Sequence, residues 1–177
     1  MNKEDIKNFT ITVLDMFLGI PETLYASFDR KNFYKIMQGN TTDRQLTVSN
    51  ICKIFHQLKA SEYIEVDNIN GNESIRFTNK AKLKVIDTIA KNRSSDTKYH
   101  FVSFDIPERL KKNRDKFRRS IKKMGFAQVQ QSLWVTNRDI GDLVEMASCE
   151  YEVNDYVVYF ISENTNIDKH LNHIFKK

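Results

Sequence analysis

Residues 99–126 read YHFVSFDIPERLKKNRDKFRRSIKKMGF, and this stretch decides the fold of the chain's second half. Tyr99–Phe104 is an apolar run of strand length. Asp105-Ile106-Pro107-Glu108 ends it, because proline suits the first turn of a helix and Glu108 favours the helix's positive end. Leu110, Phe117, Ile121 and Met124 then recur at helical spacing, which predicts a helix to about Met124 that Gly125 stops.

Downstream, Ala127–Gln131 and Ser132–Thr136 read as a strand pair and Asp139–Cys149 as a helix. Asp155–Ser162 reads as a strand and Ile167–Phe175 as a short terminal helix. The order βαββαβ predicts a ferredoxin-like domain over residues 98–177.

Upstream, the polar stretch Asn92–Lys98 (NRSSDTK) reads as a linker closing a first domain of residues 1–93. Residues 4–18 carry a broad apolar helical face, and Gly19 and Pro21 break it. A second helix is expected over Asp29–Met37, with a turn at Asn40-Thr41-Thr42. Thr47 can cap a third helix to about Ala60, in which Ile51, Ile54, Phe55 and Leu58 form one buried stripe. Tyr63, Ile64 and Val66, then Asn70-Gly71, then Ile75 and Phe77 read as a β-hairpin. A further helix is expected over Asn79–Lys91. Three helices and then a hairpin is the order of a winged helix-turn-helix. The expected fold class is therefore α+β: an N-terminal winged helix-turn-helix, a ferredoxin-like domain and a short C-terminal helix.

Composition sets the outer bounds. The 177 residues are 40% hydrophobic and 29% charged, an ordinary globular mixture. Two domains this small each bury a modest core, so a homodimer is an expected source of stability. The net charge of +5 suits a polyanion partner without demanding one. Because both halves are similarly basic, local clustering has to carry the argument. Cys52 and Cys149 sit in apolar periodic segments and read as buried small residues; neither they nor the four histidines fall at zinc-ligand spacing. The polar N-terminus and the lack of 18 consecutive apolar residues predict no signal peptide and no membrane span. A reducing cytoplasm is the expected location.

Three segments carry a specific resemblance: VSFDIPE at 102–108, RDKFRRSIKKMGF at 114–126 and QVQQSLWV at 128–135. Together they resemble the central domain of the PaaX (phenylacetate repressor) family of bacterial regulators. That domain is itself similar to the small CRISPR adaptation protein that partners the integrase. The resemblance covers roughly Lys98–Glu163 and implies a ferredoxin-like dimerisation domain behind a DNA-reading head. The repressors are longer and carry a further C-terminal domain. A shorter relative, with a winged helix fused directly to the CRISPR-type domain, fits this length better.

On this reading the Thr47–Ala60 helix is the recognition helix. Ser49, Asn50, Lys53 and Gln57 face outward to read base edges of double-stranded DNA, and Arg44 and Arg76 contact phosphates. The plainer reading is an ordinary solvated face, and the adjoining hairpin tips the balance to DNA. Arg109–Lys123 holds nine cations against one acid, Asp115. Lys112 and Arg119 on it are candidate phosphate contacts, against the alternative of a solubilising face. The expected function is a sequence-specific transcriptional repressor, dimeric on an inverted repeat, with no cofactor.

Two alternatives use the second domain. One is a CRISPR adaptation subunit that binds the integrase. The other is a nuclease in which the resemblance makes Asp105 a catalytic and Mg²⁺-binding residue. The plainer reading, that Asp105 caps the helix start or hydrogen-bonds in the loop, is preferred. Trp134, Phe126 and Phe104 are expected to pack in the core or a dimer interface rather than stack on bases.

Overall fold

The computed structural model describes residues 3–19, 26–39, 47–69 and 72–175. The chain forms two compact units, residues 1–89 and 90–177.

The first unit runs α1 (Lys3–Leu18), β1 (Ser27–Phe28), α2 (Arg30–Gly39), α3 (Val48–Ala60), β2 (Ile64–Ile69), β3 (Asn72–Phe77) and α4 (Asn79–Lys84), and α5 (Ile86–Lys91) begins in it, its last two residues, Ala90 and Lys91, belonging to the second unit. Its three strands form one antiparallel sheet in the order β1-β3-β2. The core is aromatic: Phe17 stacks on Phe33 at 5.0 Å, and Phe28 and Phe77 meet its other sides. The predicted stripe of α3, Ile51, Ile54, Phe55 and Leu58, is buried in this core. Burying each such side chain stabilises the unit by roughly 1.5–3 kcal/mol. Pro21, Asn40-Thr41-Thr42 and Asn70-Gly71 lie outside the described residues.

Two details differ from expectation. The two-residue β1 pairs with Ile75 and Arg76 of β3, too short to leave a periodic signature. The helix expected over Asn79–Lys91 is broken at Val85, whose N–H turns to the Lys82 carbonyl at 3.2 Å and tightens the chain out of α geometry.

The second unit runs β4 (Ser95–Phe104), a 3₁₀ turn at Glu108–Leu110, α6 (Lys111–Lys123), β5 (Ala127–Gln128), β6 (Leu133–Arg138), α7 (Gly141–Glu150), a 3₁₀ turn at Asn154–Tyr156, β7 (Val157–Ser162) and α8 (Asp168–Phe175). Its four strands are all antiparallel in the order β5-β6-β4-β7. This is the ferredoxin-like arrangement expected of βαββαβ. Gly125 closes α6 with φ +89°, the left-handed conformation that suits glycine.

Strand alternation gives the sheet two covered faces. Val102, Phe104 and Trp134 are buried, and Phe104 meets Phe117 of α6 edge-on at 5.4 Å. Tyr99, Phe101 and Val135 form a second cluster capped by Leu171 of α8. Trp134, Phe126 and Phe104 are thus packing residues. The cysteine expectation is corrected: Cys149, at the end of α7, is exposed, and Cys52 is only partly covered, its Sγ 3.3 Å from the Tyr34 hydroxyl. Each falls beside its helix's buried face rather than on it.

The polar stretch expected as a linker is also corrected, because Ser95–Lys98 belong to β4. Arg138 explains why polar residues hold an ordered path here. Its Nη1 donates to the carbonyls of Ala90 (3.3 Å), Lys91 (2.8 Å) and Arg93 (2.8 Å). Arg93 in turn pairs with Asp142 at 2.6 Å. A cation thus serves carbonyls at the C-terminal end of α5, where helical hydrogen bonding runs out and Ala90 also accepts the Arg93 N–H, at 3.3 Å.

Candidate nucleic-acid interface

Helix α3 begins at a side-chain cap: the Thr47 hydroxyl accepts the Asn50 N–H at 3.3 Å. The cap and the buried stripe together fix which face turns outward. Ser49, Lys53 and Gln57 are exposed on that face, and Asn50 is half-buried beside them. The Gln57 amide donates to the Ser61 hydroxyl at 2.9 Å, which holds its side chain along the helix. Two further residues join this surface. Val48 is 58% exposed at the first turn, and His56 is exposed next to Gln57. Sequence reading passed over both, because an apolar residue and a histidine do not announce themselves on a polar face. An exposed apolar side chain there can meet a thymine methyl.

Arg76 is exposed on β3, but its guanidinium is engaged by Asp67 at 2.6 Å and Glu65 at 3.8 Å. It is therefore a weaker phosphate donor than its sequence position suggests. Arg44 lies outside the described residues.

In the second unit the fold uses much of the charge of α6 and its leading turn. Arg114 donates to the Ile106 carbonyl at 3.2 Å and to Glu108 at 2.9 Å, and Lys111 also reaches Glu108 at 3.5 Å. Arg109 donates to the Tyr156 hydroxyl at 3.0 Å. Lys116 lies over the Tyr151 ring, while Arg118 and Lys122 lie over Trp134. Lys112, Arg119 and Lys123 are exposed and have no side-chain partner among the described residues. They fall at i, i+7 and i+11, one line of cations roughly 16 Å long at the α-helical rise. Residues that look equivalent in sequence are thus divided into a packed set and a free set.

Asp105 is exposed in a cleft of about 500 Å³ that Glu108, Arg114, Asp115, Arg118 and Ser132 also line. The cleft does not suit a divalent cation. Glu108 is bound by Arg114, which lowers its pKa, and two guanidinium groups line the same space as the carboxylates. Among the described residues no three acidic, histidine or cysteine side chains converge as a metal site.

The sheet order, the strand ending at Asp105, the helix closed by Gly125-Phe126 and Trp134 beneath α6 define this unit. Residues 92–174 match the PaaX protein central Cas2-like domain. The match covers just under half of the chain and nearly all of the second unit. No curated protein matches the chain. Among the described residues, no helix is long and apolar enough to cross a membrane.

The PaaX-like unit also holds a cluster that the sequence did not suggest. His100 is fully buried on β4 between Asp96 and Tyr159. Its Nε2 donates to the Asp96 carboxylate at 2.8 Å, and its Nδ1 meets the Tyr159 hydroxyl. The His100 hydrogen bond is the main reason the Asp96 carboxyl is held down at about 2. Burial, reinforced by Asp139, Asp142 and Asp96, pushes the Tyr159 phenol up to about 12. A protonated phenol can donate to Nδ1, so every polar atom of the ring is satisfied. These groups brace the base of the PaaX-like sheet.

Proposed function

We propose that the chain is a sequence-specific DNA-binding transcriptional regulator, a repressor that acts as a homodimer on an inverted repeat. In this reading the first unit is a winged helix: α3 enters the major groove and the β2–β3 hairpin is the wing. Asn50, Lys53 and Gln57 read base edges, with Ser49 and Val48 at the entry to the groove. Lys112 and Arg119, with Lys123, supply phosphate contacts from the PaaX-like unit. The observation that carries the reading is α3 itself. Its apolar stripe is spent in the core, and the remaining face is polar, capped and next to a hairpin. The PaaX-like unit supports it by family resemblance.

Selection from a random duplex library and from the protein's own upstream region, at two salt concentrations, tests this. An inverted repeat recovered from both, with selectivity relaxed by Asn50→Ala and Lys53→Ala, is the expected result. Salt-sensitive binding without any consensus would overturn it and leave a charge-driven scaffold, the role expected of an adaptation subunit beside an integrase.

A further inference from the structure

The β2–β3 hairpin rests on its core only as far as Ile75. Phe77 and Ile75 of β3 are buried, and Ile64 and Val66 of β2 lie across from them. The next pair outward on that face of the sheet is Asn68 and Glu73, and neither is apolar. β1 stops at the same level, because its last pairing is Phe28 with Ile75. Beyond that point the hairpin is a two-stranded ribbon, which holds one direction in water only if something packs against it.

Arg30, the first residue of α2, supplies that support. Its Nη2 donates to Glu73 Oε1 at 2.8 Å and its Nε to Oε2 at 2.7 Å, a two-pronged contact that fixes angle as well as distance. The same guanidinium lies 5.0 Å from the centre of the Phe55 ring, on the buried stripe of α3. One side chain thus joins α2, α3 and the outer half of the hairpin. Helix formation does not account for its position. A cation in the first turn opposes the helix dipole, and that turn holds no acid. Capping is left to Asp29, whose Oδ1 accepts the Asn32 N–H at 2.6 Å. The opposite side of the ribbon is braced separately, by Arg76 with Asp67 and Glu65. That ladder lies within the hairpin and ties it to no helix.

We propose that Arg30 is a positioning residue for the DNA interface: through Phe55 and Glu73 it sets the distance and angle between α3 and the wing. The proposal rests on the reading of this unit as a DNA-binding head. A helix in the major groove and a wing on the neighbouring backbone engage one duplex together at little cost only when their spacing is set beforehand. The rival role for Arg30, direct contact with a phosphate, makes the opposite prediction at Glu73. In that case removing Glu73 frees a cation and deletes a repelling charge, so affinity rises. If Arg30 positions the wing, removing Glu73 releases the wing and affinity falls.

Binding of the full chain to its selected duplex is the first readout. Glu73→Gln and Arg30→Gln are each expected to weaken it by about fivefold or more. Arg30→Glu combined with Glu73→Arg should bind better than Arg30→Glu alone, because the pair is restored in reverse. The urea midpoint should barely move, since an ion pair exposed to water adds little to stability. In the free protein, both glutamine variants should speed amide exchange in β2 and β3 beyond Val66 and Ile75 and leave α3 unchanged. Tighter binding by Glu73→Gln, an exchanged pair no better than Arg30→Glu alone, or unaltered exchange in the hairpin would overturn the proposal. A chain that selects no duplex sinks the DNA reading instead, and the exchange rates alone then decide whether Arg30 holds the hairpin.

Discussion

Gly141 lies directly against the Tyr159 ring: a methyl group on the glycine would stand 2.8 Å from Cε1 and 2.9 Å from Cζ. The ring has little room to yield, because its hydroxyl is tied to the buried His100. Gly141→Ala is expected to destabilise the PaaX-like unit by about 1–3 kcal/mol, the usual cost of overpacking. Urea unfolding measures this. In the double variant with Tyr159→Leu most of the loss disappears, because coupled neighbours are not additive.

The Asp96–His100–Tyr159 cluster makes stability fall at both ends of the pH range. Asp96 has its pKa depressed to about 2 from an ordinary 3.8, so its contribution is complete above that ordinary value and drains away towards pH 2. Tyr159 has its pKa raised to about 12 from 10.0, so its contribution is complete below 10 and is lost as the pH climbs to 12. Urea midpoints across this range should show His100→Gln flattening the acid limb and Tyr159→Phe the alkaline one. An unchanged acid limb in His100→Gln would remove the cluster as its cause.

Arg138→Met should cost about 1–3 kcal/mol, because three main-chain carbonyls lose one charged donor. Amide exchange should quicken around Ala90–Arg93 before it does elsewhere.

Glu152 follows α7 with φ 55°, a conformation that costs a side-chain-bearing residue about 1 kcal/mol more than glycine. Glu152→Gly is therefore expected to raise the thermal midpoint. A lowered midpoint would mean that the Glu152 side chain contributes more than its backbone loses.

If DNA is bound as proposed, the two sets of polar side chains separate in a salt titration. Lys112→Ala and Arg119→Ala each reduce the slope of log affinity against log salt by about 1, for every sequence alike. Asn50→Ala costs about 1–3 kcal/mol on the preferred site and little elsewhere.

Local patterns were readable and long-range ones were not. The stripe of α3, the stop at Gly125 and the βαββαβ order all lie within short windows, where periodicity and turn chemistry act directly. Ser95–Lys98 looked like a linker because nothing in that window shows Ser95 pairing with Arg138. The charge on α6 was readable as a total, but its division depended on Tyr151, Tyr156 and Trp134 arriving from other elements. Arg76 looked free until strand pairing brought Glu65 directly opposite it. His100 and Tyr159 are 59 residues apart, so their contact exists only once β4 and β7 are side by side.

Trp134 is the chain's one tryptophan, buried in the second unit with two cations over its ring. Fluorescence excited at the red edge of the indole band therefore reports on that unit alone, while far-ultraviolet dichroism sums both. Following the two signals through one denaturation shows whether the units melt together or in turn, without a label or a truncated chain.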